Sequence, residues 1–210
     1  YLFTMTTKRT ITGMKRIEVE KRLTKDEYLA ALMEVDVTRR QIRKEKYGHK
    51  LFRLINETYC ILYGYSLLSE RQIDAYVDQY LGILDPRMLS FIENEEGELV
   101  AAGVTMPSLS DALQKCNGEI LPFGWWHLLK NMYLKKPDTV DLLLIGVKPE
   151  LQNKGVTTLV FQDLLTNFKK LGFKYAESSA ELETNTKVQA MWRGFEYEQH
   201  KRRRVFGKEL

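Results

Sequence analysis

Cysteine and histidine are scarce in this sequence. Of its 210 residues, 2 are cysteines and 3 are histidines. Cys60 and Cys116 stand far apart and neither has a CxxC partner. This spacing argues against a disulfide framework and against a zinc site, so we expect two reduced thiols and no metal.

Long apolar runs and a strong charge of one sign are also missing. No run approaches the roughly 18 apolar residues of a membrane-spanning helix, and residues 1–10 lack the order of a signal peptide. The 32 basic and 28 acidic residues leave a net charge of +4, with a basic run at 201–204. That excess is too small to indicate nucleic-acid binding. We therefore expect a cytoplasmic protein with neither a nucleic acid nor a membrane as its partner.

The length allows one good-sized domain, or a domain with an appendage. Hydrophobic residues make up 44% of the chain, which is enough for a substantial core. Because the chain begins at Tyr1 rather than Met, we interpret residues 1–45 as an N-terminal segment, a remnant of a preceding domain plus the first strand of the sheet. Residues 46–210 are predicted to form the main domain, with a helical insertion at 107–137.

Periodicity predicts alternating helices and strands along the chain. Residues 14–32 read as a charged helix, and the alternation around Val35 and Val37 reads as the first strand of the main sheet. Two helices follow before residue 86, the second capped by Ser69. Strands are predicted at 88–93, 99–106, 140–147 and 173–178, a short helix at about 184–193, and two final strands within 195–206.

The most informative segment is 139–172, which predicts a buried strand, a turn and a helix. The strand, Val140–Val147, is apolar at nearly every position and is stopped by Pro149. The helix extends from about Asn153 to Leu171, and Gly172 ends it. The six residues of the turn have backbone N–H groups with no carbonyl four residues earlier to bond. These residues are Gln152, Asn153, Lys154, Gly155, Val156 and Thr157.

Such a turn is suited to holding a phosphate group. The chain contains neither GxxxxGK[ST] nor GxGxxG, the two common nucleotide-binding patterns. A single glycine before a helix is also ordinary capping chemistry. The joint occurrence of strand, Pro149, Gln152, Gly155 and helix in this order favours the phosphate interpretation.

The chain resembles the GNAT acyl-CoA N-acyltransferase superfamily over roughly residues 34–210. The resemblance rests on the order of elements, on residues 144–150, on the pattern Gln152-x-x-Gly155-x-Thr157 and on Asn185. The resemblance implies an α/β fold with a mixed, mostly antiparallel sheet, helices on both faces and a parallel β-α-β crossover at the cofactor site. The chain also resembles a group of bacterial proteins in which such a domain forms the C-terminal part of a longer chain. Thr157 departs from the family pattern, which has glycine or alanine there.

The resemblance also implies an activity: the transfer of an acyl group, such as the acetyl group of acetyl-CoA, to an amine. The backbone of Ile145 and Val147 would bind the pantetheine arm of coenzyme A. Asn185 matches a residue that contacts the same arm, although it also fits a helix N-terminal polar residue. Trp192 stands where family members commonly carry a tyrosine that acts as the general acid. An alternative function is therefore a catalytically weak acyl-CoA-binding or interaction module.

Amine acylation requires a group that accepts a proton from the nucleophile. Asp141 is the candidate base, because it is the only charged residue within Thr139–Val147 and an apolar strand raises the pKa of a carboxyl. It also fits a solvated strand end, and Glu177 is the second choice. The acceptor is predicted to be a small-molecule or peptide amine beneath the 107–137 insertion. The aromatic cluster of that insertion would equally fit packing on the sheet or on a second subunit, as in a homodimer.

Overall fold

The computed structural model describes residues 10–18, 33–34, 47–81, 84–116, 126 and 137–205. Its strands are β1 Thr10–Glu18, β2 Met33–Glu34, β3 Leu89–Glu93, β4 Leu99–Pro107, β5 Thr139–Val147, β6 Tyr175–Ser178, β7 Glu181–Leu182 and β8 Tyr197–Val205. Its α-helices are α1 Tyr47–Tyr59, α2 Glu70–Tyr76, α3 Ser110–Lys115, α4 Val156–Leu171 and α5 Thr186–Met191. A π-helical turn, Val77–Leu81, continues α2.

These strands form one mixed sheet. From β2 through β3, β4 and β5 each neighbouring pair is antiparallel, and β5 then pairs with β6 in parallel through the crossover helix α4. β6 and β7 pair antiparallel with successive parts of β1, and β8 pairs antiparallel with β1. Thr12 of β1 faces both Leu182 and Arg203, so β8 lies on the other edge of β1. The predicted mixed, mostly antiparallel sheet with one parallel crossover is confirmed.

The N-terminal segment differs from the prediction. Met14 lies within β1 rather than at the start of a helix, and a single strand, β8, replaces the two strands expected within 195–206. The place of the second strand is taken by β1, which inserts between β6 and β8. Hydrogen bonds to strands on both edges outweigh the helix preference of the Lys, Arg and Glu in this stretch.

The described residues include only parts of two further predicted regions, the strand around Val35 and the insertion at 107–137. Met33–Glu34 pairs with β3 at the edge of the sheet, whereas Val35 and Val37 lie outside the described residues. The predicted insertion begins as helix α3, and most of its remainder, including Phe123, Trp125 and Tyr133, lies outside them as well. The division of the chain at residue 46 stays a prediction.

Helices on the two faces of the sheet enclose separate cores. On one face α4 buries an apolar stripe against β4 and β5, together with Trp192 and Phe195. On the opposite face α1 and α2 pack over β3 and β4. The helix ends follow their local sequence, since Ser69 forms a capping box with Gln72, and Gly155 and Gly172 flank α4 at φ values of 82° and 84°.

Candidate active site

The candidate site is an opening in the sheet between β5 and β6. β6 pairs with only the first four residues of β5, Thr139–Leu142. Within the described part of the chain, Leu143–Val147 has no strand partner on that edge, while β4 remains paired on the other edge. The backbone groups of this half of β5 therefore face an opening rather than a neighbouring strand.

A β-bulge at Leu143 marks the start of the opening. Leu144 lies opposite Val104, whereas Leu142 lies opposite Thr105, so Leu143 is the extra residue. The bulge reverses the alternation of side chains: Leu142 packs with the α4 core, and Leu144 packs with the α1 core. Leu143 itself is 37% exposed. The strand is consequently half-buried at its centre, and the predicted continuous burial on both faces is wrong there.

Side chains occupy the backbone groups that the opening leaves unpaired. The Tyr59 hydroxyl donates to the carbonyl of Ile145 at 2.9 Å and accepts from its amide at 3.3 Å. The Gln152 amide donates to the carbonyl of Val147 at 3.0 Å. The Ser179 hydroxyl donates toward the carbonyls of Leu142, at 2.8 Å, and Leu143, at 3.1 Å. The edge of β5 is thus accessible to single polar groups arriving from several elements.

Two adjoining cavities follow this edge. The larger, of about 200 Å³, extends from Tyr59 through the opening to Gly103 and Trp192. The smaller, of about 120 Å³, extends from the same opening toward the turn before α4 and includes Gln152 and Thr157. Both are lined by Tyr59, Leu62, Ile145, Asn185, Val188 and Met191. The cavities therefore form one continuous cleft that leads from the turn into the sheet.

The turn has the backbone geometry of an anion site. Asn153 and Gly155 both have positive φ, at 63° and 82°. In the described hydrogen bonds, the amides of Asn153, Gly155, Val156 and Thr157 donate to no protein group. Asn153 and Lys154 are exposed, whereas the Val156 side chain is fully buried in the core, so Val156 offers only its backbone. These free donors lie at the N-terminus of a 16-residue helix.

A lysine that the sequence analysis missed lies beside this turn. Lys187, in the first turn of α5, lines the smaller cavity and donates to the side-chain oxygen of Gln152 at 2.7 Å. Asn185 caps the same helix by accepting from the amide of Val188 at 3.4 Å, and it also lines both cavities. Asn185 is therefore a helix-capping residue, and its contact with a pantetheine arm stays a prediction. No local pattern marks Lys187, because only the fold brings α5 next to the turn.

Asp141 and Glu177 are neighbours in the parallel register between β5 and β6. Burial raises the pKa of Asp141, a hydrogen bond with Ser108 lowers it in part, and the nearby Glu177 raises it further. A carboxylate oxygen of Glu177 lies 3.1 Å from Nε2 of His200 and accepts a hydrogen bond from Nζ of Lys201 at 3.4 Å. Strand alternation places the Asp141 side chain on the α1 face. Asp141 lines neither cavity, and the next residue, Leu142, lines the larger one.

Trp192 has a packing role. It is 2% exposed and packs against Phe161 and Phe195, with ring centroids 6.0 and 6.1 Å away. Its indole N–H donates to both carboxylate oxygens of Glu181, at 2.9 and 3.1 Å. Trp192 therefore supplies an apolar wall of the larger cavity and orients Glu181, which lines the same cavity.

Comparison with curated proteins gives two relatives at low identity. The chain is 26% identical to protein YghO from Escherichia coli (strain K12) over 181 residues, 83% of this chain and 46% of that protein. It is 26% identical to the bacterial ceramide synthase of Caulobacter vibrioides over 119 residues, 55% of this chain and 31% of that protein. The chain thus spans less than half the length of these relatives. No protein-family model matches it.

Comparison with solved structures defines the fold. A GCN5-related N-acetyltransferase from Sphaerobacter thermophilus superimposes with a TM-score of 0.59 at 8% identity, covering 92% of this chain and 49% of that one. Several further structures named as GCN5-related or GNAT acetyltransferases also match. The chain has the GCN5-related N-acetyltransferase fold. Among the described residues, no helix is both long and apolar enough to cross a bilayer.

Proposed function

We propose that this chain is the acyl-transfer domain of an acyl-CoA-dependent N-acyltransferase. The observation that carries the proposal is the continuous cleft between the phosphate-type turn and the opening in the sheet. Free amides and Lys187 at one end suit a pyrophosphate. The edge of β5 that has no strand partner suits the amide groups of a pantetheine arm, which would replace side-chain hydrogen bonds such as that of Tyr59. The thioester would then lie near Ile145, where the two cavities meet.

The amine acceptor would approach from the α1 face, where Asp141 lies. In the proposed reaction the amine nitrogen attacks the thioester carbonyl, and its proton passes to Asp141 directly or through one water. The carbon–sulfur bond then breaks, and the thiolate takes a proton from solvent. The raised pKa of Asp141 suits proton abstraction near neutral pH, because its ionised form is a stronger base than an ordinary aspartate.

One of the two curated relatives supports transfer to nitrogen. The Caulobacter protein is named a ceramide synthase, and ceramide is an amide formed between an acyl group and an amine. The match covers 31% of that protein, so the acceptor of this chain is not carried over from it. The amine of this chain stays unidentified, and the activity of any longer protein that contains it is part of the proposal.

A second candidate is an acyl-CoA-binding module without turnover. The observation that favours it is Trp192, which fills the position expected for a general acid with a buried, hydrogen-bonded indole. Tyr59 and Ser179 offer hydroxyls in the larger cavity, but both are bonded to backbone carbonyls of β5. The two candidates share the cofactor and differ only in whether the bound thioester reacts.

Calorimetric titration with acetyl-CoA and with free coenzyme A tests the shared part. Saturable binding of either ligand is the expected result, and no binding at millimolar ligand would remove both candidates. Release of free thiol from acyl-CoA across a panel of primary amines then separates them. Amine-dependent release supports the enzyme, whereas tight binding without release under any amine supports the module.

A further inference from the structure

The larger cavity continues past the point where a thioester would lie. Beyond the opening it passes under β5 to the face covered by α4, where β4 contributes Gly103 and Thr105. Most of its walls there are apolar, and Thr105, Ser178 and Glu181 add polar groups. The apolar wall comprises Leu142, Phe161, Leu164, Leu182, Val188, Met191 and Trp192.

Two local features keep this space close to the strands. Leu142 follows Val140 on the α4 face, and the bulge at Leu143 turns Leu144 to the α1 face and Ile145 to the α4 face. Gly103 has no side chain, and a Cβ there would lie 2.8 Å from Cγ1 of Val160 and 2.9 Å from Cδ1 of Leu164. Strand β4 therefore lies directly against α4, and the remaining space is confined to the region between Leu142 and α5.

The volume exceeds what an acetyl group needs. An apolar protein cavity of about 150 Å³ holds a benzene ring, which has six carbons. The larger cavity has about 200 Å³ and opens at Tyr59, near the place of the thioester, so its deep part has room for several carbons beyond an acetyl group. An apolar cavity of this kind gains affinity for each methylene group that it removes from water.

We infer that the larger cavity binds the alkyl part of the acyl group, and that the donor is a medium-chain acyl-CoA. This inference rests on the proposed function and adds the class of acyl group to it. The smaller cavity, which shares Val188 and Met191 with the larger one, would hold the pantetheine arm. The acyl chain then continues the path of the arm without a turn back toward the surface.

The position of Asp141 distinguishes the acyl chain from an apolar acceptor as the occupant. Asp141 lies on the α1 face of β5, and the deep part of the cavity lies on the α4 face. An amine that reaches Asp141 would have to pass its tail through the opening already filled by the thioester. The acyl group is the part of the donor that reaches the α4 face.

The test is calorimetric titration with coenzyme A and its acetyl, butyryl, hexanoyl, octanoyl and palmitoyl thioesters. The expected result is affinity that rises by roughly fourfold per methylene up to about eight carbons and rises no further beyond that length. Equal affinity from acetyl to octanoyl would overturn the inference and leave the proposed function intact. Failure of every coenzyme A species to bind would remove the proposed function itself.

Two variants test where the acyl chain binds. Leu142→Phe places a larger side chain in the cavity and is expected to lower octanoyl-CoA affinity by at least tenfold while leaving free coenzyme A affinity unchanged. Leu182→Phe, at a half-buried position in the same wall, repeats the test if Leu142→Phe does not fold. Leu67→Phe is the matched control, because Leu67 is 66% exposed and should change neither affinity. Undiminished octanoyl-CoA binding in both cavity variants would contradict the inferred location.

Discussion

The hydroxyl of Tyr59 lies 2.9 Å from the carbonyl oxygen and 3.3 Å from the amide nitrogen of Ile145, 86 residues later in the chain. A single side chain thereby satisfies both backbone groups of a residue at the opening in the sheet. Burial raises the pKa of Tyr59, so the phenol stays protonated at neutral pH and can donate to the carbonyl. If the pantetheine arm pairs with Ile145, it must displace this hydroxyl.

Tyr59→Phe should therefore bind coenzyme A more tightly than the natural chain. The substitution removes the competing hydroxyl and leaves the two Ile145 groups without a partner in the free protein, so the ligand gains bonds without breaking any. We expect affinity to increase about fivefold, close to 1 kcal/mol, and the free energy of unfolding without ligand to fall by about 1 kcal/mol. Calorimetry and urea denaturation measure the two effects.

Tyr65→Phe is the control for that variant. Tyr65 packs edge-on against Tyr59 and donates its hydroxyl to Asn56 at 2.7 Å, away from Ile145. It should lose a similar amount of stability with unchanged coenzyme A affinity. Weaker binding by Tyr59→Phe would show instead that the phenol contacts the bound donor.

Asp141→Asn should leave coenzyme A affinity intact and lower the rate of acyl transfer at neutral pH by roughly 100-fold, the lower end of general-base effects. In the natural chain the rate should rise with pH through a value above the usual range of aspartate, since burial raises the pKa of Asp141. The variant should lack this rise. Glu177→Gln is the comparison, and a loss confined to that variant would transfer the role of base to Glu177.

The same pKa shift predicts an effect on stability. A carboxyl whose pKa is raised by folding binds its proton more tightly in the folded state, so stability falls as pH rises from the unfolded to the folded pKa. Ionisation of Asp141 as the pH rises therefore costs the fold stability. Asp141→Asn should unfold at an equal or higher temperature than the natural chain at pH 7, and the difference should vanish at pH 3. A lower melting temperature at pH 7 would indicate that the Ser108 hydrogen bond dominates.

The fold could be predicted where local signals agree with tertiary structure. The strand, turn and helix of 139–172 have their own stops, Pro149 and Gly172, and these elements form as expected. The insertion of Thr10–Glu18 between β6 and β8 could not be predicted, because it depends on pairing with residues more than 150 positions away. The contact of Tyr59 with Ile145 could not be predicted either, because the sequence alone indicates only that Tyr59 belongs to an apolar helical stripe.

Lys187→Ala should weaken coenzyme A binding, because Lys187 is the basic side chain bonded to Gln152 beside the turn. It is exposed, so its charge is screened, and we expect a loss of about fivefold at low salt that shrinks at higher salt. Lys170→Ala is the control, since Lys170 is equally exposed at the opposite end of α4. Equal losses in both variants would mean that only the overall charge matters.

Gly155→Ala should lose both stability and coenzyme A affinity, whereas Gly172→Ala should lose only stability. Both glycines have φ near +80°, where an alanine costs about 1 kcal/mol or slightly more, so urea denaturation should show similar losses. Only Gly155 lies in the turn whose free amides would bind the pyrophosphate, and relief of strain there would re-aim those amides. A drop in affinity of more than tenfold for Gly155→Ala alone is expected by calorimetry. Equal affinities for the two variants would show that the turn does not bind the phosphate groups, and would redirect the search for the anion site to Lys187 and its neighbours on α5.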